Sequence, residues 1–324
     1  MGEGESPAFP KSFGSFQAKS VQGGIDAVVK ALCSPDSGAP NSVFRGSGWS
    51  LPPSRGAIVE VVDGLRAVLF PGYFGSPDLT RESLPYHVGG TLDRVRRELQ
   101  EQIRRGLCFF CEGESQEKCS SCVSVSAEVT NVFLSRLPGV QARLAEDAIA
   151  AFEGDPAAAS PDETVFCYPG MLAITSHRLA HELHLLGVPL IPRIIAEHAH
   201  SMTGIDIHPG AEIGRRIFID HGTGVVIGES AVIGDRVRIY QGVTLGAKSF
   251  PLDEQGKPVK GVARHPIVEN DVVIYAGATI LGRIRIGQGS IIGGNVWLTN
   301  DVGPGSRVTQ AQSRSELFID GGGI

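Results

Sequence analysis

The sequence predicts an α+β chain, a helical N-terminal domain followed by a parallel β-helix of hexapeptide repeats. Three observations carry this. From Ile207 onward, aliphatic residues return every six positions, a period of neither a helix nor an ordinary strand. Glycine directly follows many of them, at Gly214, Gly228, Gly234, Gly246, Gly287 and Gly293. Upstream, apolar residues recur at three- and four-residue spacing, the period of a helix packed on one face.

Residues 1–55 are rich in Ser, Gly and Pro and lack a sustained apolar period, so they are expected to be disordered. Residues 56–204 read as the helical domain. Segments 92–105 and 132–152 carry the clearest helical pattern, and a further stretch over 162–200 is interrupted at Pro169 and at 187–192. The β-helix is expected over 205–310. Its aliphatic positions are Ile207, Ile213 and Ile219; then Ile227, Ile233, Ile239 and Leu245; then Val268, Ile274, Ile280, Ile286, Ile292 and Leu298. One short strand plus one corner per unit, three units per coil, stacks parallel strands about 4.8 Å apart. Pro304 breaks the phase and is expected to end the coil. Residues 311–324 read as a flexible tail.

The phase slips twice. Two extra residues fall within 221–224, and segment 248–265 (KSFPLDEQGKPVKGVARH) reads as a loop thrown out of the coil. Loops leaving a rigid scaffold are where chemistry concentrates. Asp206 and His221, 15 residues apart, are expected on adjacent rungs near one corner. A histidine backed by a carboxylate is a general-base pair, because the carboxylate orients the ring and stabilises its protonated form. His265 closes the extruded loop.

Composition excludes several classes. Among 324 residues the net charge is −6, with no block of like charge, so no basic face for nucleic acid is expected. No apolar run is long enough to span a membrane. The first 25 residues lack an apolar core, so no secretory signal is expected, and six cysteines without one suggest a reducing cytoplasm.

The segments GDPAA (154–158), TGIDIHPGAEIG (203–214), IDHGTGVVIGE (219–229), YQGVTLGA (240–247), RHPIVENDVVIYAGATILG (264–282) and a final Ile324 resemble serine O-acetyltransferase, a hexapeptide-repeat acyltransferase. In that family a helical domain precedes a left-handed parallel β-helix. The resemblance implies transfer of the acetyl group of acetyl-CoA to L-serine, giving O-acetyl-L-serine for cysteine biosynthesis. By the same resemblance His221 is the catalytic base and Asp206 its partner. Asp155 and Asp220 hold the substrate ammonium, and Arg264 and His265 face its carboxylate. Gly246, Ala247, Ala276 and Gly294 line the coenzyme A path. A homo-oligomer, trimer or dimer of trimers, with sites between subunits is implied. So is docking of Ile324 into O-acetylserine sulfhydrylase. Two departures touch the coenzyme site: a longer loop before Arg264, and Ala247 where Gly is common.

Cys108, Cys111, Cys119 and Cys122 form two CxxC pairs that can supply four thiolates to zinc or an iron–sulfur cluster; plain thiols or a redox pair are the alternative. Cys33 and Cys167 are isolated. His177, His181 and His184 have helical spacing but not the metalloprotease pattern, and are expected to pack. The rival readings are a hexapeptide acyltransferase for another acceptor such as a sugar, a β-helix carbonic anhydrase using His208, His221 and His265, and a non-catalytic scaffold.

Overall fold

The computed structural model describes residues 24–33, 51–111 and 120–310. The tail with Ile324, Cys119 and most of 1–55 lie outside these. The chain divides into two units, Met1–Trp49 and Ser50–Ile324. In the first, α1 (Gly24–Cys33) is a helix within the segment expected to be disordered. Its Ile25, Val28, Val29 and Leu32 follow helical spacing on one face, which the Ser/Gly/Pro-rich surroundings obscure, and none of its residues is buried.

The second unit opens with α2 (Arg55–Leu69), α3 (Leu84–Phe109) and α4 (Ser120–Gly154). Ser54 caps α2 by accepting from the Ala57 N–H at 3.3 Å, and its own N–H donates to Gln102 of α3 at 2.7 Å. Ile58, Leu65, Leu99, Ile103, Phe133 and Leu144 are fully buried between these helices. Helices α5 (Pro161–Cys167), α6 (Pro169–Leu185) and α7 (Ile191–Thr203) follow. Each has a proline in its first turn, where a missing N–H costs nothing. Pro169 and Pro192, which fall in the interruptions of the sequence pattern, are therefore helix starts. Gly204, left-handed at φ +70°, ends α7 and turns the chain into the coil.

The coil runs through β1 (Asp206–Ile207), β2 (Glu212–Ile213), β3 (Phe218–Ile219), β4 (Val226–Ile227), β5 (Val232–Ile233), β6 (Arg238–Ile239), β7 (Thr244–Gly246), β8 (Ile267–Val268), β9 (Val273–Ile274), β10 (Thr279–Leu281), β11 (Arg285–Ile286), β12 (Ile291–Ile292), β13 (Trp297–Leu298) and β14 (Arg307–Val308). They form three parallel sheets, β1-β4-β7-β10-β13, β11-β8-β5-β2 and β14-β12-β9-β6-β3. Register stacks Ile207, Ile227, Leu245, Ile280 and Leu298 in one inward column. The other two columns are Ile213, Ile233, Val268 and Ile286, and Ile219, Ile239, Ile274, Ile292 and Val308. Most are fully buried, and each of those contributes about 1.5–3 kcal/mol by leaving water.

The coil does not end at Pro304. Val302 bridges Ile286, and β14 pairs with β12 beyond the proline. The rung simply shortens, from Leu298 four residues to Val302 and then six to Val308. Pro304 occupies a turn, and the N–H of Gly305 beside it donates across to the Gln288 carbonyl of the preceding coil at 2.8 Å.

A buried ion pair pins the helices to the coil. Arg178 of α6 donates to both carboxylate oxygens of Asp147 of α4, at 2.7 and 3.0 Å, and to the Gly214 carbonyl at 2.8 Å. The Ile217 N–H completes the carboxylate's shell at 3.0 Å. Burial pushes the Asp147 carboxyl up, opposed by Arg178 and that N–H.

Candidate active site

The prism has three corners, and the chemically interesting residues occupy two of them. At the corner between the third and first sheets, the two-residue slip forms a bulge. His221 at φ +56°, Gly222 at +79° and Gly224 at +78° are all left-handed, whereas Gly242, Gly277 and Asn295 each take one such residue at the same corner of later coils. The bulge lifts the His221 side chain out to 70 % exposure. Its Nδ1 lies 3.6 Å from Asp220 Oδ1, too long for a hydrogen bond.

Two close approaches bring further groups to this corner. A Cβ on Gly154 would lie 2.5 Å from the Phe218 ring, and one on Gly170 2.3 Å from the Ile219 carbonyl oxygen, so no larger residue lets α4 and α6 approach so near. Asp155 and Tyr168 follow and precede these contacts. The Tyr168 hydroxyl donates to Asp155 Oδ2 at 2.5 Å and the Ala157 N–H to Oδ1 at 2.8 Å. These bonds hold the Asp155 carboxyl below the ordinary carboxylate range, with a smaller contribution from His221. Tyr168 is correspondingly raised by the same bond. Sequence reasoning missed Tyr168; its signal is a tyrosine set directly before a helix-starting proline.

Asp206 lies on the adjacent rung, with Val226 paired above it. Its N–H donates to the Val225 carbonyl at 2.9 Å. No hydrogen bond or ion pair joins its side chain to His221, and within one chain Asp220 is the carboxylate beside the ring. Asp206 and His221 thus share one corner on adjacent coils, without a direct side-chain bond between them.

Arg264 and His265 sit at a different corner, between the first and second sheets, where the extruded loop rejoins the coil. Arg264 pairs with Glu229 at 2.8 Å. Burial pushes Glu229 up, but Arg264, together with His208 and His265, leaves the carboxyl below its ordinary range. His265 is 6 % exposed and lies on the Gly228–Ser230 segment of the preceding rung. Burial, then Arg264, lowers its pKa, so the ring is neutral near pH 7. His208, at the same corner, is driven down to about 4, chiefly by burial. One chain thus does not bring His265 to His221; they belong to opposite edges of the first sheet. The small residues divide likewise. Gly246, hydrogen-bonded to Gly282, and Ala247 lie at the first-to-second corner, whereas Ala276 and Gly294 stack at the third-to-first corner.

A cavity of about 760 Å³ between α2 and α3 contains none of these residues. His177 is buried and stacks on His181 at 5.5 Å, whose Nδ1 contacts the Pro209 carbonyl at 2.7 Å; these rings seat α6 on the coil. Cys108 and Cys122 are buried whereas Cys111 is exposed. Among the described residues no three His, Cys, Asp or Glu are grouped to hold a metal, so the zinc or iron–sulfur expectation for Cys108, Cys111, Cys119 and Cys122 has no support. No helix among them is long and apolar enough to cross a membrane.

Residues 265–300 match the family model of bacterial transferase hexapeptide repeats. A serine acetyltransferase of Synechococcus elongatus is 54% identical over 304 residues, 93% of this chain and 95% of that one. Among solved structures, serine acetyltransferase 1 of Entamoeba histolytica in complex with L-cysteine aligns with a TM-score of 0.68 at 36% identity, over 78% of this chain and 86% of that chain. The Neisseria gonorrhoeae serine acetyltransferase in complex with serine aligns with a TM-score of 0.51 at 26% identity, over 79% of this chain and 97% of that chain.

Proposed function

The chain belongs to the serine acetyltransferase family, an enzyme transferring the acetyl group of acetyl-CoA to serine, and we propose that its active site forms between two copies of the chain. The observation that carries this is the split of candidate residues between two corners of one prism. In a three-fold assembly with the first sheet toward the axis, the third-to-first corner of one subunit meets the first-to-second corner of the next. That sheet's outward side supports the reading, because Trp297 is 69 % and Val226 37 % exposed there. Asp155, Asp220 and His221 then come from one subunit, and Arg264 and His265 from its neighbour.

In this arrangement Asp155 and Asp220 hold the serine ammonium, while Arg264 and His265 hold its carboxylate. The hydroxyl of bound serine is far too weak an acid to attack a thioester unaided. The Nε2 of His221 takes its proton as the oxygen bonds to the acetyl carbon. Asp220 stabilises the imidazolium, with Asp206 on the adjacent rung as the second carboxylate. The carbon–sulfur bond then breaks, and the imidazolium returns its proton to the departing thiolate. Gly246 and Ala247 of one subunit and Ala276 and Gly294 of the other offer small residues along which the pantetheine reaches backbone amides.

His221→Ala is expected to lower kcat by roughly two to four orders of magnitude with folding intact; a near-normal kcat refutes the assignment. Asp220→Asn and Asp206→Asn, compared at saturating serine, identify which carboxylate serves the ring. For 311–324, outside the described residues, the proposal is the partner implied by resemblance, O-acetylserine sulfhydrylase. A peptide ending in Ile324 should bind it better than the same peptide lacking Ile324.

A further inference from the structure

We propose that Ser230 is the positioning residue that fixes His265 as a neutral hydrogen-bond donor through Nε2–H, and thereby excludes it as a base. Ser230 Oγ accepts from two backbone N–H groups, Arg264 at 2.9 Å and His265 at 3.2 Å. A serine hydroxyl has two acceptor lone pairs and one hydrogen. Both lone pairs are engaged, so the hydrogen goes to the remaining neighbour, His265 Nδ1 at 2.9 Å. The Ser230 N–H donates to the same nitrogen at 3.1 Å. With two donors aimed at it, Nδ1 carries no proton, and the ring's single hydrogen is on Nε2.

The clamp is closed from outside. Arg283 Nη1 donates to the carbonyls of Ser230, at 2.6 Å, and His265, at 3.0 Å, tying the two rungs together. The charged groups facing the ring are Arg264, Arg283 and Glu229, and the two cations outnumber the carboxylate, opposing a further positive charge. Among the described residues nothing in the chain accepts from Nε2–H. It is the ring's unused donor, suited to an anionic oxygen of the substrate. Of His221 and His265, only His221 is left able to accept a proton.

This inference rests on the reading of His265 as a substrate contact, and the experiment separates the two. The full-length protein is labelled with 15N-histidine, and the His265 signals are identified by their loss in His265→Gln. In the wild type at neutral pH, His265 should show a single Nε2–H tautomer; an Nδ1–H tautomer or an imidazolium overturns the proposal without any Ser230 variant. Ser230→Ala should mix the tautomers and raise KM for serine roughly five- to twentyfold with a smaller change in kcat. Ser230→Thr, which keeps the hydroxyl, should restore both. An unchanged spectrum in Ser230→Ala overturns the clamp. A changed spectrum with unchanged KM upholds the clamp and overturns the substrate-contact reading.

Discussion

Gly228→Ala tests how closely the two rungs must approach. An added Cβ would lie 2.0 Å from His265 Cδ2 and 2.1 Å from Nε2. Ordinary carbon contacts are about 3.5–4.0 Å, so the ring must shift by about 1.5 Å or more. It cannot do so while keeping Ser230 at 2.9 Å. A misplacement of about 1 Å in a positioning group costs about a hundredfold in rate, or about 2.7 kcal/mol of transition-state stabilisation. Overpacking should also remove about 1–3 kcal/mol of folding stability. The assay is thiol release from acetyl-CoA with serine varied, alongside thermal denaturation. Most of the loss should appear in kcat/KM for serine, with the acetyl-CoA KM less affected. A variant with kcat/KM within about threefold of wild type would refute the argument, because a ring displaced that far cannot serve the same substrate.

Other outcomes follow from the same geometry. Tyr168→Phe removes the bond that holds the Asp155 carboxyl down; since the ionised form binds the ammonium, the acid limb of kcat/KM should move to higher pH, as a pH–rate profile will show. Arg178→Ala leaves the Asp147 carboxylate buried without its cation, and should cost about 3–5 kcal/mol by denaturant unfolding. Trp297→Arg places charge on the exposed patch of the first sheet and should lower both the mass by light scattering and the activity.

The coil was legible because each rung spends one aliphatic residue inward, so Ile274, Ile280, Ile286 and Ile292 announce themselves without tertiary information. Pro304 misled because the rung after Leu298 is short, and a four-residue step before Val302 is not a hexapeptide. The bulge at His221 was legible as a phase slip. The left-handed backbone of three of its residues and the exposure of the ring belong to the folded corner. His265 is marked by the end of the extruded loop, but its clamp is not, since Ser230 is 35 residues away and meets it only through rung stacking. Nor does a linear pattern say which corner a residue occupies once a loop of variable length intervenes. The meeting of Arg264 and His221 across two subunits is what the family resemblance implies, and no periodicity in the pattern carries it.

The division of the site between subunits is tested most directly by complementation. His221→Ala and Arg264→Ala are each expected to be inactive alone. Co-expressed in equal amounts and purified as mixed assemblies, they should recover about a quarter of wild-type activity, because a random three-fold ring pairs an intact third-to-first corner with an intact first-to-second corner at about one interface in four. If each chain held a complete site, no mixture would contain one, and recovery no greater than the sum of the two variants alone would contradict the account.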